Sequence, residues 1–242
     1  MKKRNQIKVL GTMVVIAAIG IGSTLAYLTD KTDTLHNTFS IGDVSIALKE
    51  SAVESCDWGF KDSDGDNTWT VDFSQDANGN IKNSVTYDGL VAGDFIYKDP
   101  TVFPVASVSS TVYAYLGNCE VVNEDQGIIQ TKAIASTDKS LEFTLDDYWE
   151  IYEKDANKGI VLMYTGGGWW ADHFTQGTSI SIFKKFKDET TGAVYTAKLP
   201  NDFEEDSTFQ NLTVQAMIIQ HNFIENDDVN NLIKTNTNWL DD

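Results

Sequence analysis

Apolar and polar residues alternate along much of the chain, and this two-residue period constrains the fold more than any other feature of the sequence. The alternation runs through 44–48, 69–74, 112–116 and 180–182. Because successive side chains of a strand point to opposite faces of a sheet, the pattern predicts many short β-strands. Along 212–219 one alternating set is apolar throughout, and the other becomes apolar at Met217 and Ile219, which predicts a strand buried on both faces.

Turn and helix signals complete the predicted architecture. Two alternating runs flank the turn 76–80, whose Asn-Gly pair predicts a hairpin. The acidic pair 227–228 can cap a short helix with apolar residues spaced through 229–240, and 146–155 fits either a helix or a strand. Many short strands joined by polar turns predict an all-β jelly-roll β-sandwich with short helical insertions over residues 39–242.

The first 26 residues have the three parts of a secretory signal peptide, which is expected to be helical. A basic start precedes an apolar run, and the end is rich in small residues. Thr24 and Ala26 stand at the two positions that a signal peptidase inspects, so cleavage is predicted between Ala26 and Tyr27. The apolar run is also long enough to cross a bilayer, which leaves an uncleaved anchor as the alternative. In both cases the basic flank stays cytoplasmic and the rest of the chain is predicted to be secreted.

The chain is strongly acidic, with 36 acidic and 18 basic residues and a formal net charge of −18. Cleavage would remove four basic residues and change this charge from −18 to −22. A chain of this charge repels the phosphate backbone of nucleic acids, so no nucleic-acid partner is predicted. The mature protein is expected to be receptive to cations.

One loop has oxygen ligands at a spacing that suits calcium. Asp62, Asp64 and Asp66 place carboxylates at alternate positions, and hard cations prefer such oxygens. The loop departs from the EF-hand pattern in the position of its glycine and lacks the glutamate at the twelfth position. A solvated turn is therefore the alternative, and no other cofactor is predicted.

Cys56 and Cys119 are the only two cysteines. Export to an oxidising compartment permits a disulfide, and two cysteines allow a single intramolecular connectivity. The sequence therefore predicts a Cys56–Cys119 bridge, with two buried free thiols as the alternative.

Three segments of the sequence resemble the TasA/camelysin-like family of SipW-dependent secreted proteins. The first is similar to the family pattern Asn-x-Phe-x-x-Gly-x-Val-x-Ile-x-Leu-x-Glu. Its matching residues are Asn37, Phe39, Gly42, Val44, Ile46, Leu48 and Glu50. The second, at 93–102, is similar to Pro-Gly-Asp-x-Ile-x-Lys-Asp-Pro-x-Val, with Ala92 in place of the usual proline. The third, at 212–223, resembles the closing strand of the family.

The resemblance implies an exported Gram-positive jelly-roll protein that a dedicated signal peptidase cleaves. It also implies a structural role in the extracellular biofilm matrix or at the cell surface. The partners would be other copies of the chain, joined into a fibre by donor-strand exchange, and an accessory matrix protein. Contact with the membrane would occur only through the uncleaved signal segment.

The N-terminal arm freed by cleavage, residues 27–38, is the candidate donor strand. Its apolar anchors would be Tyr27, Leu28 and Leu35, with the neighbouring Phe39. Donor-strand exchange adds such a segment to an open sheet edge, where ladder hydrogen bonds give affinity and alternate side chains set the register. The alternatives are a mobile arm and a strand that folds back on its own domain.

Two other functions deserve comparison with the fibre. Camelysins are described as metalloproteases, but His36, His173 and His221 lie in separate segments and no HExxH motif occurs. The protein is therefore predicted not to be an enzyme. Trp169 and Trp170 follow three glycines and could stack on sugars, which makes a surface ligand- or carbohydrate-binding module the main alternative.

Overall fold

The computed structural model describes residues 44–66, 69, 71–72, 85–132, 140–166, 173–203, 211–220, 231 and 233, and the backbone of 29–31. Nearly all regular structure in these residues is β, which confirms the predicted all-β class. The strands are β1 (Thr29–Lys31), β2 (Val44–Glu50), β3 (Val53–Cys56), β4 (Gly59–Asp62), β5 (Val71–Asp72), β6 (Phe95–Ile96), β7 (Thr101–Ala106), β8 (Ser110–Gly117), β9 (Cys119–Asn123), β10 (Ile128–Thr131), β11 (Glu142–Thr144), β12 (Trp149–Asp155), β13 (Gly159–Tyr164), β14 (Ile180–Ser181), β15 (Phe186–Lys187), β16 (Val194–Tyr195), β17 (Ala197–Lys198) and β18 (Thr213–Gln220).

The largest sheet has five antiparallel strands in the order β1-β18-β8-β13-β12. A four-stranded sheet has the order β14-β7-β2-β5, and its strand β2 packs against β18. Smaller sheets have the orders β17-β6-β4-β3, β11-β10-β9 and β15-β16. Two larger sheets in contact through β2 and β18 form a sandwich, in which each sheet buries one face against the other.

The five-stranded sheet buries residues on both of its faces, as the sequence predicted for β18. Ala216 and Ile218 belong to the main core, whereas Met217 and Ile219 belong to a second cluster on the opposite face. All four side chains are at most 1% exposed. Ile233, in a helical position near the C-terminus, is fully buried against the second cluster. Asn231 and Ile233 both have helical backbone conformation, and the rest of the predicted helix lies outside the described residues.

The segment 146–155, whose sequence fitted both a helix and a strand, contains a strand in the structure. Residues 149–155 form β12, which pairs with β13 through a register shift between Ile151 and Glu153. Pairing with a buried neighbour outweighed the helical spacing of the apolar residues. The predicted hairpin around 76–80 lies outside the described residues.

Gly159 permits the close pairing of β13 with β8. Its φ is 137°, and a Cβ atom placed there would lie 2.2 Å from the carbonyl oxygen of Leu116. The left-handed conformation and the backbone contact both require glycine. Gly177 has a similarly positive φ of 94°, but a Cβ atom there would meet nothing within 4 Å.

Gly159→Ala is expected to destabilise the protein more than Gly177→Ala. Both substitutions place a side chain at positive φ, which costs about 1–2 kcal/mol. Only Gly159→Ala adds a clash with backbone that cannot move without opening the β8–β13 ladder. Urea unfolding of the two variants would measure the difference in the free energy of unfolding. Equal losses would show that β13 can shift away from β8.

Candidate functional site

The edge of β18 that faces away from β8 is where the N-terminal segment meets the rest of the molecule. β1 pairs antiparallel with β18, with Thr29 opposite Ile219, Asp30 opposite Ile218 and Lys31 opposite Met217. β18 pairs with β8 along all eight of its residues, so its other edge is held firmly in place. Within this single chain, residues 29–31 of the predicted arm therefore pair with the arm's own domain, which is one of the two alternatives stated above.

β1 covers only part of this edge. Three of the eight residues of β18 have a partner in β1. At the end of β18, the amide oxygen of Gln220 is buried and has no hydrogen-bond partner among the described residues. The cleavage residues Thr24 and Ala26, and the predicted anchors Tyr27, Leu28, Leu35 and Phe39, lie outside the described residues.

The three aspartates of the predicted calcium loop come together at the end of β4. Carboxylate oxygens of Asp62, Asp64 and Asp66 all lie within 4.8 Å of one another. Asp62 is buried and the other two are exposed. The backbone N–H of Asp66 donates a hydrogen bond to Asp64. A side-chain hydrogen bond to Asp66 raises the pKa of Asp64. The group has oxygen ligands of the type that a hard cation takes.

The predicted disulfide is not present in the structure. Cys56 ends β3 and Cys119 begins β9, and these strands belong to different sheets. Both cysteines are free thiols. The Cys119 thiol is fully buried, donates a hydrogen bond to the carbonyl oxygen of Leu116, and has its pKa raised to about 12 by burial. Two free thiols agree with the alternative that the sequence left open, except that Cys56 is half-buried rather than buried.

The residues considered for catalysis and sugar binding are mostly outside the described part of the chain. His173 is exposed beside the buried Phe174, whereas His36 and His221 are not described. Trp169 and Trp170 are likewise not described. In the described part of the chain, no helix has the length and hydrophobicity needed to span a membrane.

A buried cluster of charged side chains, to which the sequence predicted no role, lies where the end of β2 meets the segment between β6 and β7. Lys98 Nζ lies 3.0 and 3.2 Å from the two carboxylate oxygens of Glu50. Lys185 Nζ lies 3.3 Å from Asp99 and donates to the hydroxyl oxygen of Tyr97 at 2.7 Å. Glu50 and Asp99 are at most 1% exposed, which is unusual for carboxylates.

Hydrogen bonds fix the two carboxyl groups of this cluster. The backbone N–H and the hydroxyl of Ser51 both donate to Asp99, at 2.8 and 2.9 Å. The backbone N–H of Asp99 hydrogen-bonds in turn to the carboxyl group of Glu50. Burial raises the pKa of Glu50, the ion pair with Lys98 opposes this effect, and the negative charge of Asp99 adds to it.

A signal for this cluster was present in the sequence. Lys98 and Asp99 interrupt an otherwise apolar segment, and Glu50 ends the first segment that carried the family resemblance. Their partners are 48 and 86 residues away along the chain, so only the folded structure brings them together.

An acidic cavity of about 400 Å³ lies between the β9–β10 turn and the start of β12. The charged residues that line it are Glu124, Asp125, Asp146, Asp147 and Glu150. Lys154 pairs with Glu124, and Lys184 with Asp147 at 2.7 Å, so part of this charge is already neutralised. Trp149 is 6% exposed and donates its ring N–H to Ser181, so its ring offers little surface for stacking on a sugar.

Cys56 and Cys119 should react very differently with a thiol-alkylating reagent in the native protein without reductant. Cys56 is half-buried and should be modified readily, whereas Cys119 should be protected because burial raises its thiol pKa to about 12. Unfolding without reductant should expose both thiols. Mass spectrometry of the two peptides would measure this. Modification that requires reductant would instead establish the disulfide predicted from the sequence.

No family model matches this chain, and neither a curated protein nor a solved structure matches it.

Proposed function

We propose that this protein is a secreted, jelly-roll structural subunit of an extracellular matrix fibre, and that copies assemble by donor-strand exchange through the N-terminal arm. The observation that carries the proposal is the pairing of β1 with the edge of β18. A strand near the chain terminus that completes the edge of its own sheet can complete the same edge of another copy. This is the exchange that generates domain-swapped assemblies.

The register of β1 defines how much of the edge a longer donor would cover. Continuing the observed register in both directions would place residue 28 opposite Gln220 and residue 35 opposite Thr213. A donor spanning 28–35 would thus pair with every residue of β18. Its backbone and side chains would also bring hydrogen-bond donors near the buried amide oxygen of Gln220.

An extended donor gains both ladder hydrogen bonds and buried apolar surface. Each fully buried large apolar side chain among Tyr27, Leu28 and Leu35 would contribute about 1.5–3 kcal/mol. Folding back within one chain has the advantage of a high local concentration, so exchange requires the longer ladder to outweigh it. Head-to-tail contacts that do not close into a ring propagate into filaments.

Signal-peptide cleavage would time the assembly in this proposal. Before cleavage between Ala26 and Tyr27, the arm is tied to the membrane and cannot reach a neighbouring subunit. A dedicated signal peptidase would then be the first partner, and an accessory matrix protein a later one. The alternative function, a carbohydrate-binding module at the cell surface, draws no support from the acidic cavity, whose tryptophan is buried.

Deleting residues 27–38 from the mature chain should leave a folded monomer that does not polymerise. The deletion removes the donor but leaves the β18–β8 ladder intact. Electron microscopy would measure filament formation, and circular dichroism would verify the β-rich fold. Filaments formed by the deletion variant would rule out exchange of this arm, and an unfolded variant would show that β1 is an indispensable strand of its own domain.

A synthetic peptide with the sequence 27–38 provides a matched test on the same surface. It should bind the deletion variant and stop polymerisation of the wild-type chain. The same peptide with proline at Leu35 should bind more weakly, because proline removes a ladder donor.

Polymerisation of the cleaved wild-type chain should depend strongly on salt. Copies with a formal net charge of −22 after cleavage repel one another when the Debye length is about 30 Å, at 0.01 M salt. At 0.15 M salt the Debye length is about 8 Å, and this repulsion is largely screened. Light scattering across this range would measure the effect. Faster assembly at low salt would contradict this expectation. It would mean that electrostatic attraction between copies drives assembly, rather than strand pairing that overcomes their repulsion.

A further inference from the structure

Lys98 and Glu50 meet in a geometry that goes beyond an ordinary surface ion pair. The amine nitrogen lies at nearly equal distances, 3.0 and 3.2 Å, from the two oxygens of the carboxyl group. It therefore lies close to the carboxyl carbon that these oxygens share. The Lys98 side chain is 13% exposed and that of Glu50 is 1% exposed, so little water reaches the pair.

The surroundings of this pair suppress its charged form and hold the carboxyl group in place. Burial raises the pKa of the neighbouring Tyr87, and the negative charge of Glu50 raises it further. The ring of Tyr87 packs edge-on against Phe60, with 5.0 Å between the ring centroids. The backbone N–H of Asp99 hydrogen-bonds to the Glu50 carboxyl group. Burial, the largest influence, raises the pKa of Glu50 and favours the neutral carboxylic acid, and the negative charge of Asp99 adds to this effect. Lys98 and the backbone of Asp99 oppose it but do not cancel it.

We propose that Lys98 and Glu50 condense to an intramolecular isopeptide bond in the folded protein. The ammonium group first transfers one proton to the carboxylate, which gives a neutral amine and a neutral carboxylic acid. The amine nitrogen then attacks the carboxyl carbon Cδ, and the oxygen that gains negative charge accepts the hydrogen bond from the Asp99 N–H. The carbon–oxygen bond of the hydroxyl group breaks, one amine proton joins it, and one water molecule leaves. No oxidant, cofactor or second substrate is needed.

Proximity and burial provide the driving force for a reaction that is unfavourable between separate molecules in water. Well-oriented intramolecular reactions reach effective molarities of about 10⁵–10⁸ M. The product also replaces two buried charges by a neutral amide, which removes their desolvation penalty. The water released can leave because the Lys98 side chain is not completely enclosed.

Lys185 and Asp99 form a second ion pair in the cluster that is less suited to this reaction. The carboxylate of Asp99 already accepts hydrogen bonds from the N–H and the hydroxyl of Ser51. Lys185 is 27% exposed, twice as accessible as Lys98, and also donates to the hydroxyl of Tyr97. In this proposal Asp99 positions and polarises the Glu50 carboxyl group through its backbone N–H.

The bond would close a covalent loop that runs from the end of β2, through β3, β4, β5 and β6, to the segment between β6 and β7. Such a loop would resist unfolding and proteolysis outside the cell. The proposal depends only on the buried cluster, so it stands or falls independently of fibre assembly.

The mass of the intact native protein tests the proposal directly. The purified mature chain, with its thiols reduced, should be lighter than its sequence by the mass of one water molecule. Tandem mass spectrometry should find the peptides containing Lys98 and Glu50 joined together. Lys98→Arg is the matched control, since guanidinium keeps the positive charge but is not a nucleophile at ordinary pH. This variant should have the full sequence mass, whereas Lys185→Arg should keep the mass loss.

Two results would overturn the proposal. The first is a native wild-type chain whose mass equals that of its sequence, which would leave Lys98 and Glu50 as an ion pair. The second is a mass loss that persists in Lys98→Arg, because the water would then come from another pair of residues. The wild-type measurement requires no variant to fold.

Discussion

Strands β18 and β8 pair along eight residues, and this ladder determines where the other parts of the molecule can lie. Because side chains alternate across a strand, β18 places Ala216 and Ile218 in the main core and Met217 and Ile219 in the second cluster. A strand buried on both faces cannot shift by one residue without exchanging the two sets of side chains. The ladder thus fixes the register of β18, and with it the edge on which β1 pairs.

The sequence predicted those parts of the fold that depend on local pattern. The strand at 213–220 and its burial on both faces follow from apolar residues at every position from 216 to 219. The segment 149–155 was ambiguous because apolar spacing alone does not distinguish a helix from a strand that pairs with a distant neighbour. The Cys56–Cys119 bridge could not be predicted reliably, because the sequence does not show that the two cysteines lie on different sheets. Glu50 and Lys98 both lie in segments that carried the family resemblance, but their pairing could not be predicted, since a contact across 48 residues leaves no periodic signal.

In the proposed assembly, folding back and donor-strand exchange would use the same edge of β18, so the difference between them is one of free energy. Within the described residues, the chain has three residue pairs between β1 and β18, and this intramolecular form needs no encounter between strongly acidic copies. The exchanged form would require that encounter, and a donor spanning 28–35 would pair with all eight residues of β18. Salt lowers the cost of the encounter, and a longer donor raises the gain. The balance between folding back and exchange would therefore depend on salt and on the length of the donor strand, and the domain would keep the same fold in both forms.

Glu50 of the buried cluster and the edge on which β1 pairs lie on two different sheets, which are in contact through β2 and β18. Glu50 is the last residue of β2, and hydrogen bonds tie it and its neighbour Ser51 to Lys98 and Asp99. A charged cluster at this place is costly unless every member is paired, so it admits few arrangements of the β2 end. β2 also packs against β18, so the strand that carries Glu50 is one of the two through which the larger sheets meet.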